Sequence, residues 1–171
     1  MADIIAEINT IGDLLGGVGA SRFYKQNLPA TYVANTIGIR WQGDNSESET
    51  GFHYRVDRLY QVIYFGSNEV NCLGLATKLT AALAQNTKAK IRDSSGFITL
   101  GSFALSAPFK TETDGVYAII GILPVSVRVP REFEKAPKMA EVTVEATPKD
   151  HAGTAIDDGR YRFSTEILLD E

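Results

Sequence analysis

The side chains of this sequence that could do chemistry are few and scattered. It has one cysteine, Cys72, and two histidines, His53 and His151. Nucleophilic catalysis needs a Ser or Cys within hydrogen-bond reach of a base. Cys72 falls at the start of a predicted helix, a position that lowers a thiol's pKa. His53 falls on a strand face with Arg55 and Asp57, where it reads as a solvated histidine, and nothing pairs His151 with Cys72. Cys72 therefore reads as a small buried residue. A lone cysteine forms no internal disulfide, and with two distant histidines it makes no zinc site. Asp157 and Asp158 together with Glu47 and Glu49 could supply carboxylates to calcium, but the EF-hand spacing is absent and the acids read as solvated. "YFGSN", residues 64–68, joins a strand to a helix, the setting of a phosphate cradle. A cradle needs several glycines with a following Lys, or GxGxxG. Here there is one Gly, and no Lys before Lys78. The junction reads as a corner in which Gly66 ends the strand and Ser67 or Asn68 caps the helix. "GGVGAS", residues 16–21, follows a helix and reads as its C-cap and loop. No catalytic, cofactor-binding or metal-binding set emerges, and the chain reads as not an enzyme.

The totals point the same way. The chain has 171 residues, 44% apolar and 22% charged, the proportions of a globular protein. A chain of this size buries about 70% of its unfolded surface, enough for a core. Its net charge is −4. Neutralising nucleic-acid phosphates requires clustered Lys and Arg, and no such cluster is present. The opening "MADIIAEINTIGDLL" has no basic residue before its apolar stretch, unlike a signal peptide. No apolar run approaches the roughly 20 residues that span a bilayer. These features predict a protein of the reducing cytoplasm, away from membranes.

The elements that must position these residues are legible in the periodicity. Ile4, Ile5, Ile8, Ile11, Leu15 and Val18 recur at helical spacing, with Asp3 in the first turn and Gly16-Gly17 at the end. Residues 31–42 alternate, with Val33, Ile37, Ile39 and Trp41 on one face. "GDNSESETG", residues 43–51, has three acids and no base or apolar residue. It predicts an exposed, mobile hairpin tip whose Asp44, Glu47 and Glu49 have no Lys or Arg within the loop to neutralise them. Residues 52–65 alternate again, with Phe52, Tyr54, Val56, Tyr60, Val62 and Tyr64 on one face. Val70, Leu73, Ala76, Leu79 and Leu83 then predict a second helix. Residues 89–92 and 97–103 flank the turn "DSSG". Residues 116–127 are apolar on both faces, a central strand in which Pro124 demands a bulge or an unpaired position. Alternation returns at 140–146 and 161–169. Runs of strands around two helices predict an α+β fold, a mostly antiparallel sheet with two helices on one face and a C-terminal strand arm. Two domains follow, residues 1–132 and a C-terminal extension of 133–171 set off by Pro130 and Pro137, whose strands should pair with a neighbouring subunit or protein.

The opening helix, "YQVIYFGSNEVN" with its following helix, and "IRDSSGFITLGSFALSAPFKTETDGVYAIIGILPVSVRVPRE" together resemble the tail-terminator family of tailed bacteriophages, also called minor capsid or tail-completion proteins. The resemblance covers roughly residues 1–132 and rests on order and texture. It implies an α+β structural virion protein with no cofactor, made in the host cytoplasm and found in the tail and neck. It implies a homohexameric ring that caps the tail tube, ends tail polymerisation and meets the head–tail connector or head-completion protein, with the tail sheath as a further neighbour. DNA would pass through the channel without sequence-specific binding. On this reading Asp44, Glu47 and Glu49 contact the tube or line the channel mouth. Alternatives are another neck or tail component (tail-tube or head-completion), or a small ligand-binding α+β domain with a pocket lined by Trp41, Tyr60 and Tyr64.

Overall fold

The first helix forms where a capping acid meets an apolar stripe. In the computed structural model, which describes residues 3–132, 143–146 and 161–164, α1 spans Ile4–Leu14. Asp3 is its N-cap and accepts a hydrogen bond from the Ile5 backbone N–H at 3.0 Å. Ile8, Ile11 and Leu15 are buried, whereas Ile5 points to solvent. Glu7 takes the place in the buried stripe that Ile5 was expected to hold, and it is fully buried. A short 3-10 turn, Gly16–Val18, follows.

Strand β1, Arg22–Lys25, was not anticipated. It is four residues long and pairs in parallel with the start of β2, which spans Thr36–Ser48. Strand β3, His53–Gly66, runs antiparallel to β2 along its whole length. The mobile tip predicted for residues 43–51 is therefore corrected, because residues 43–48 are strand. A bulge between Trp41 and Gly43 interrupts the register. It breaks the alternation expected of a strand, which is why the sequence pattern stopped at residue 42. Residues 31–35 lie outside the strand, and Val33 is exposed.

Gly66 makes the corner into α2, Glu69–Ala84. A Cβ there would lie 2.7 Å from the Cys72 sulfur, so the glycine is a packing requirement. Asn68 caps the helix, accepting the Asn71 N–H at 2.8 Å. The buried face of α2 is Cys72, Leu75, Leu79 and Leu83. Val70 and Leu73, assigned to the core by spacing, are exposed. The sequence offers two overlapping apolar stripes, and the one containing Cys72 packs against the corner at Gly66.

Strands β4 (Lys88–Lys90) and β5 (Phe97–Leu100) form a hairpin. The short β6 (Ala104–Leu105) and β7 (Phe109–Lys110) both pair with β8, Tyr117–Pro130. Among the described residues these make an eight-stranded sheet with the order β1-β2-β3-β8-β5-β4. Strand β8 is central, as its apolar run implies, and Pro124 needs no bulge. The Pro124 carbonyl accepts the Gly101 N–H at 2.8 Å, so the side of Pro124 that lacks an N–H faces the gap between β5 and β6. The fold is α+β and mostly antiparallel, with β1 the parallel exception.

Both helices lie on one face. Ile11 and Leu15 of α1 and Leu79 and Leu83 of α2 share a buried cluster with Ile37 and Ile39 of β2, Val56, Tyr60 and Tyr64 of β3, and Leu123, Val125 and Val127 of β8. On the opposite face a smaller cluster, Ile63, Phe65 and Ala118, is covered by Leu28 and Tyr32. The Tyr32 and Phe65 rings stack with centroids 4.4 Å apart. No helix among the described residues is long and apolar enough to cross a membrane. The chain divides into two compact units, Met1–Arg131 and Glu132–Glu171. In the second, β9 (Thr143–Ala146) pairs antiparallel with β10 (Tyr161–Ser164). The remainder of the strands expected at 140–146 and 161–169 lies outside the described residues.

Candidate functional site: the charged end of the sheet

The far ends of β2, β3 and β8 carry a dense set of charged side chains, and all three acids singled out from the sequence lie there. Antiparallel pairing sets Asp44 opposite Arg58, Glu47 opposite Arg55 and Ser48 opposite Tyr54. Each strand alternates faces, so these groups divide into two sets.

On the open face, Glu47 Oε2 lies 2.6 Å from Arg55 Nη2, and Arg55 Nε lies 3.0 Å from Asp57 Oδ2. The Ser126 hydroxyl donates to Asp57 Oδ1 at 2.7 Å. Glu49 receives a two-pronged contact from Arg128, at 2.5 Å from Nε and 2.7 Å from Nη2. At the same end but on the helix face, with Tyr54 and Val56, the Arg131 guanidinium donates to Ser48 Oγ at 2.8 Å and lies 5.7 Å from the Tyr54 ring centre. The hydrogen bond from Arg128 holds the Glu49 carboxyl below its ordinary range. That from Ser126, helped by Arg55, does the same for Asp57. The acids thus stay ionised and are held by arginines on neighbouring strands. The loop itself holds no Lys or Arg, as the sequence reading has it, but the acids are not left without cations: Arg55 and Arg58 of β3 and Arg128 of β8 are brought alongside by the ladder.

On the helix face, Arg58 is the β3 residue between Val56 and Tyr60, and it is buried among them. It pairs with Glu7 of α1, which also accepts the Tyr60 hydroxyl proton donor at 2.6 Å. Asp44 Oδ2 lies 3.6 Å from Arg58 Nε, at the solvent end of the network. Burial pushes the Glu7 carboxyl above its usual range, against the opposing effects of the Tyr60 hydrogen bond and Arg58. Burial and the Glu7 hydrogen bond likewise push the Tyr60 phenol up. Sequence reasoning passed over both Glu7 and Arg58. The signal was present, since each is a charged residue at a core position of its element, and the two have opposite signs.

The other candidates resolve simply. Cys72 is buried, and desolvation raises its thiol pKa, the reverse of a nucleophile activated by a helix start. Among the described residues no group of three His, Cys, Asp or Glu is placed to hold a metal ion. Tyr60 and Tyr64 do not line a pocket. Both are core residues, with Tyr60 bonded to Glu7 and Tyr64 donating to Asn71 Oδ1 at 2.6 Å. His151, Asp157 and Asp158 lie outside the described residues.

No protein-family model and no curated protein matches the chain. Among solved structures it is similar to a chain of the "Virion of native gene transfer agent (GTA) particle", with 15% identity over 75% of this chain and 87% of that one and a TM-score of 0.38. A likeness at that level carries no argument about function.

Proposed function

We propose that this chain is a structural protein of a tailed-phage-like virion, a ring-forming component that caps the tail tube, ends its polymerisation and faces the head connector. The observation that carries the reading is the α+β fold, a mostly antiparallel sheet flanked by helices, which is the class of fold that the sequence resemblance to tail terminators implies. The charged end of the sheet supports it. Its acids and arginines are mutually satisfied, so Asp44, Glu47 and Glu49 offer a stiff polar surface for contact with the tube or with a neighbouring subunit. Such surfaces set partner and register more than raw affinity.

The test is a phage in which this gene is deleted and complemented. Without the protein, tails of uncontrolled length unable to join heads are expected; with it, a hexameric ring at the tail's end by electron microscopy. Normal tail length in the deletion, or a different symmetry at this layer, would overturn the proposal. Neutralising Asp44, Glu47 and Glu49 together as Asn or Ser should leave a folded protein that joins heads and tails poorly. Unchanged phage yield would remove these three residues from the interface.

A further inference from the structure

We propose that the outer edge of β2, from Asp44 to Ser48, pairs antiparallel with the same stretch of a second copy of this chain, across a two-fold axis at Ser46. The two margins of the sheet are built differently. At one margin β4 is three residues long and carries Lys88 and Lys90, both exposed, the usual way of blunting an edge against pairing. At the other margin β1 covers β2 only from Thr36 to Ile39. The Trp41 backbone is closed by a side chain: Gln26 Oε1 accepts its N–H at 2.9 Å, and the Gln26 amide donates to its carbonyl at 3.4 Å. Beyond Trp41, no strand among the described residues flanks β2.

The direction of the open groups follows from the ladder. The Glu49 N–H donates to the His53 carbonyl at 3.4 Å, and bonded and non-bonded pairs alternate along an antiparallel ladder. Asp44, Ser46 and Ser48 therefore stand in non-bonded pairs with Arg58, Val56 and Tyr54, and their N–H and C=O groups point away from β3. All three residues are exposed, and the stretch contains no Lys or Pro to blunt it.

The chemistry of the stretch selects its occupant. A row of outward N–H and C=O groups is matched by another extended backbone, and residues 44, 46 and 48 of one copy must meet outward residues of the other. Few two-fold registers do this. One centred on Asp44 sets the two Asp44 carboxylates opposite each other, and one centred on Glu47 does the same for Glu47; like charges directly opposite destabilise a pair. One centred on Asn45 runs Ser48 into the bulge at Gln42 of the other copy. The register centred on Ser46 uses every outward group, with Asp44 meeting Ser48, Ser46 meeting Ser46 and Ser48 meeting Asp44. It also gives each acid a donor on its own face of the sheet. The Ser48 hydroxyl accepts from Arg131 at 2.8 Å and keeps its proton for Asp44 of the other copy. The Asn45 amide faces Glu47, whose Oε2 is held by Arg55 while Oε1 can accept. Arg55 and Arg58 already neutralise Glu47 and Asp44 within each chain, so the two edges approach without net repulsion. A two-fold contact closes on itself. It is therefore separate from any contact between neighbours around a ring, and the inference goes beyond the ring reading without resting on it.

Cysteine trapping in the full chain tests it. In this register the two Ser46 residues form a bonded pair with Cα atoms about 5.5 Å apart, within the reach of a disulfide. Ser46→Cys should link to itself under mild oxidation and run as a dimer on a non-reducing gel, whereas the exposed control Ser95→Cys should stay monomeric. The native Cys72 is fully buried and stays. Mixed Asn45→Cys and Glu47→Cys chains should link more than either alone, which checks the register. Ser46→Lys sets two ammonium groups opposite each other at an exposed position. It should leave circular dichroism unchanged and turn the wild-type dimer into monomer in native mass spectrometry. Absence of a Ser46→Cys dimer, or a Ser95→Cys dimer formed as readily, overturns the inference. So does a wild-type chain that is monomeric at every concentration, or a Ser46→Lys chain that still dimerises. Hexameric rings with Ser46→Cys unlinked would sink the edge contact and leave the ring reading intact. Linked dimers with no ring in the particle would do the reverse.

Discussion

The two faces of the sheet's charged end use the same residue types for different ends. On the helix side, Glu7 and Arg58 are buried together beneath α1, at 0% and 7% exposure. On the open side, Glu47, Arg55, Asp57, Glu49 and Arg128 form ion pairs in contact with water. Removing charges from water costs several kcal/mol per ion, so a buried pair contributes little net stability while each partner depends on the other. Exposed pairs cost little to form and hold little, and their value lies in geometry. The comparison teaches that α1 is held to β3 in one register by Glu7 and Arg58, whereas the open lattice stiffens the ends of β2, β3 and β8.

The largest effect should come from splitting the buried pair. Arg58→Met leaves the Glu7 carboxylate unpaired beside Tyr60 and should cost about 3–5 kcal/mol in urea or thermal unfolding. The double variant Glu7→Leu, Arg58→Met should recover most of that loss. A double variant as unstable as the single one would mean that Arg58 stabilises through its packing alone.

A second, smaller contrast lies in pH dependence. Burial raises the Glu7 pKa in the folded state, so the folded chain binds that proton more tightly than the unfolded chain. Its contribution is present below the ordinary carboxylate range and is lost as pH rises through the folded value. Asp57 is shifted the other way by Ser126 and Arg55. Its contribution is present above the ordinary range and is lost as pH falls through the folded value. Relative to wild type, Glu7→Gln should therefore gain stability as pH rises, and Asp57→Asn should recover as pH falls. Parallel pH profiles for the two variants would erase the distinction between the faces.

The smallest effect is expected at the open lattice. Glu49→Gln should unfold at a midpoint close to that of wild type and lose its small difference in high salt. A large drop would show that the ion pair with Arg128 holds the fold and not only the surface.

How much of this was legible in sequence depended on whether burial and pattern agreed. β8 was legible because its apolar run has one explanation, a central strand. β3 was legible from its alternation, although that alternation was read by skipping Arg58, a charge at a core position. Glu7 hid in the same way among the isoleucines of α1. Pattern reading treats a charge as a surface mark, and a pair buried from two distant elements defeats it. Residues 43–48 look like a loop because polar side chains on both faces leave no period to see, while their stabilising partners sit on other strands. β1 is too short and too polar to announce itself. In α2 two apolar stripes overlap, and only the packing of Cys72 at Gly66 selects between them.

The bulge after Trp41 has a consequence for comparing sequences. Gln42 is the extra residue, opposed by no partner of its own, between Trp41↔Tyr60 and Gly43↔Leu59. A related chain lacking it could keep each pair from Asp44↔Arg58 to Ser48↔Tyr54 and simply run the ladder straight. Gln42 is therefore the natural gap column of this hairpin. An alignment that denies the gap would set each acid one place out of step with its arginine, and would score as divergence what the backbone treats as a single omitted residue.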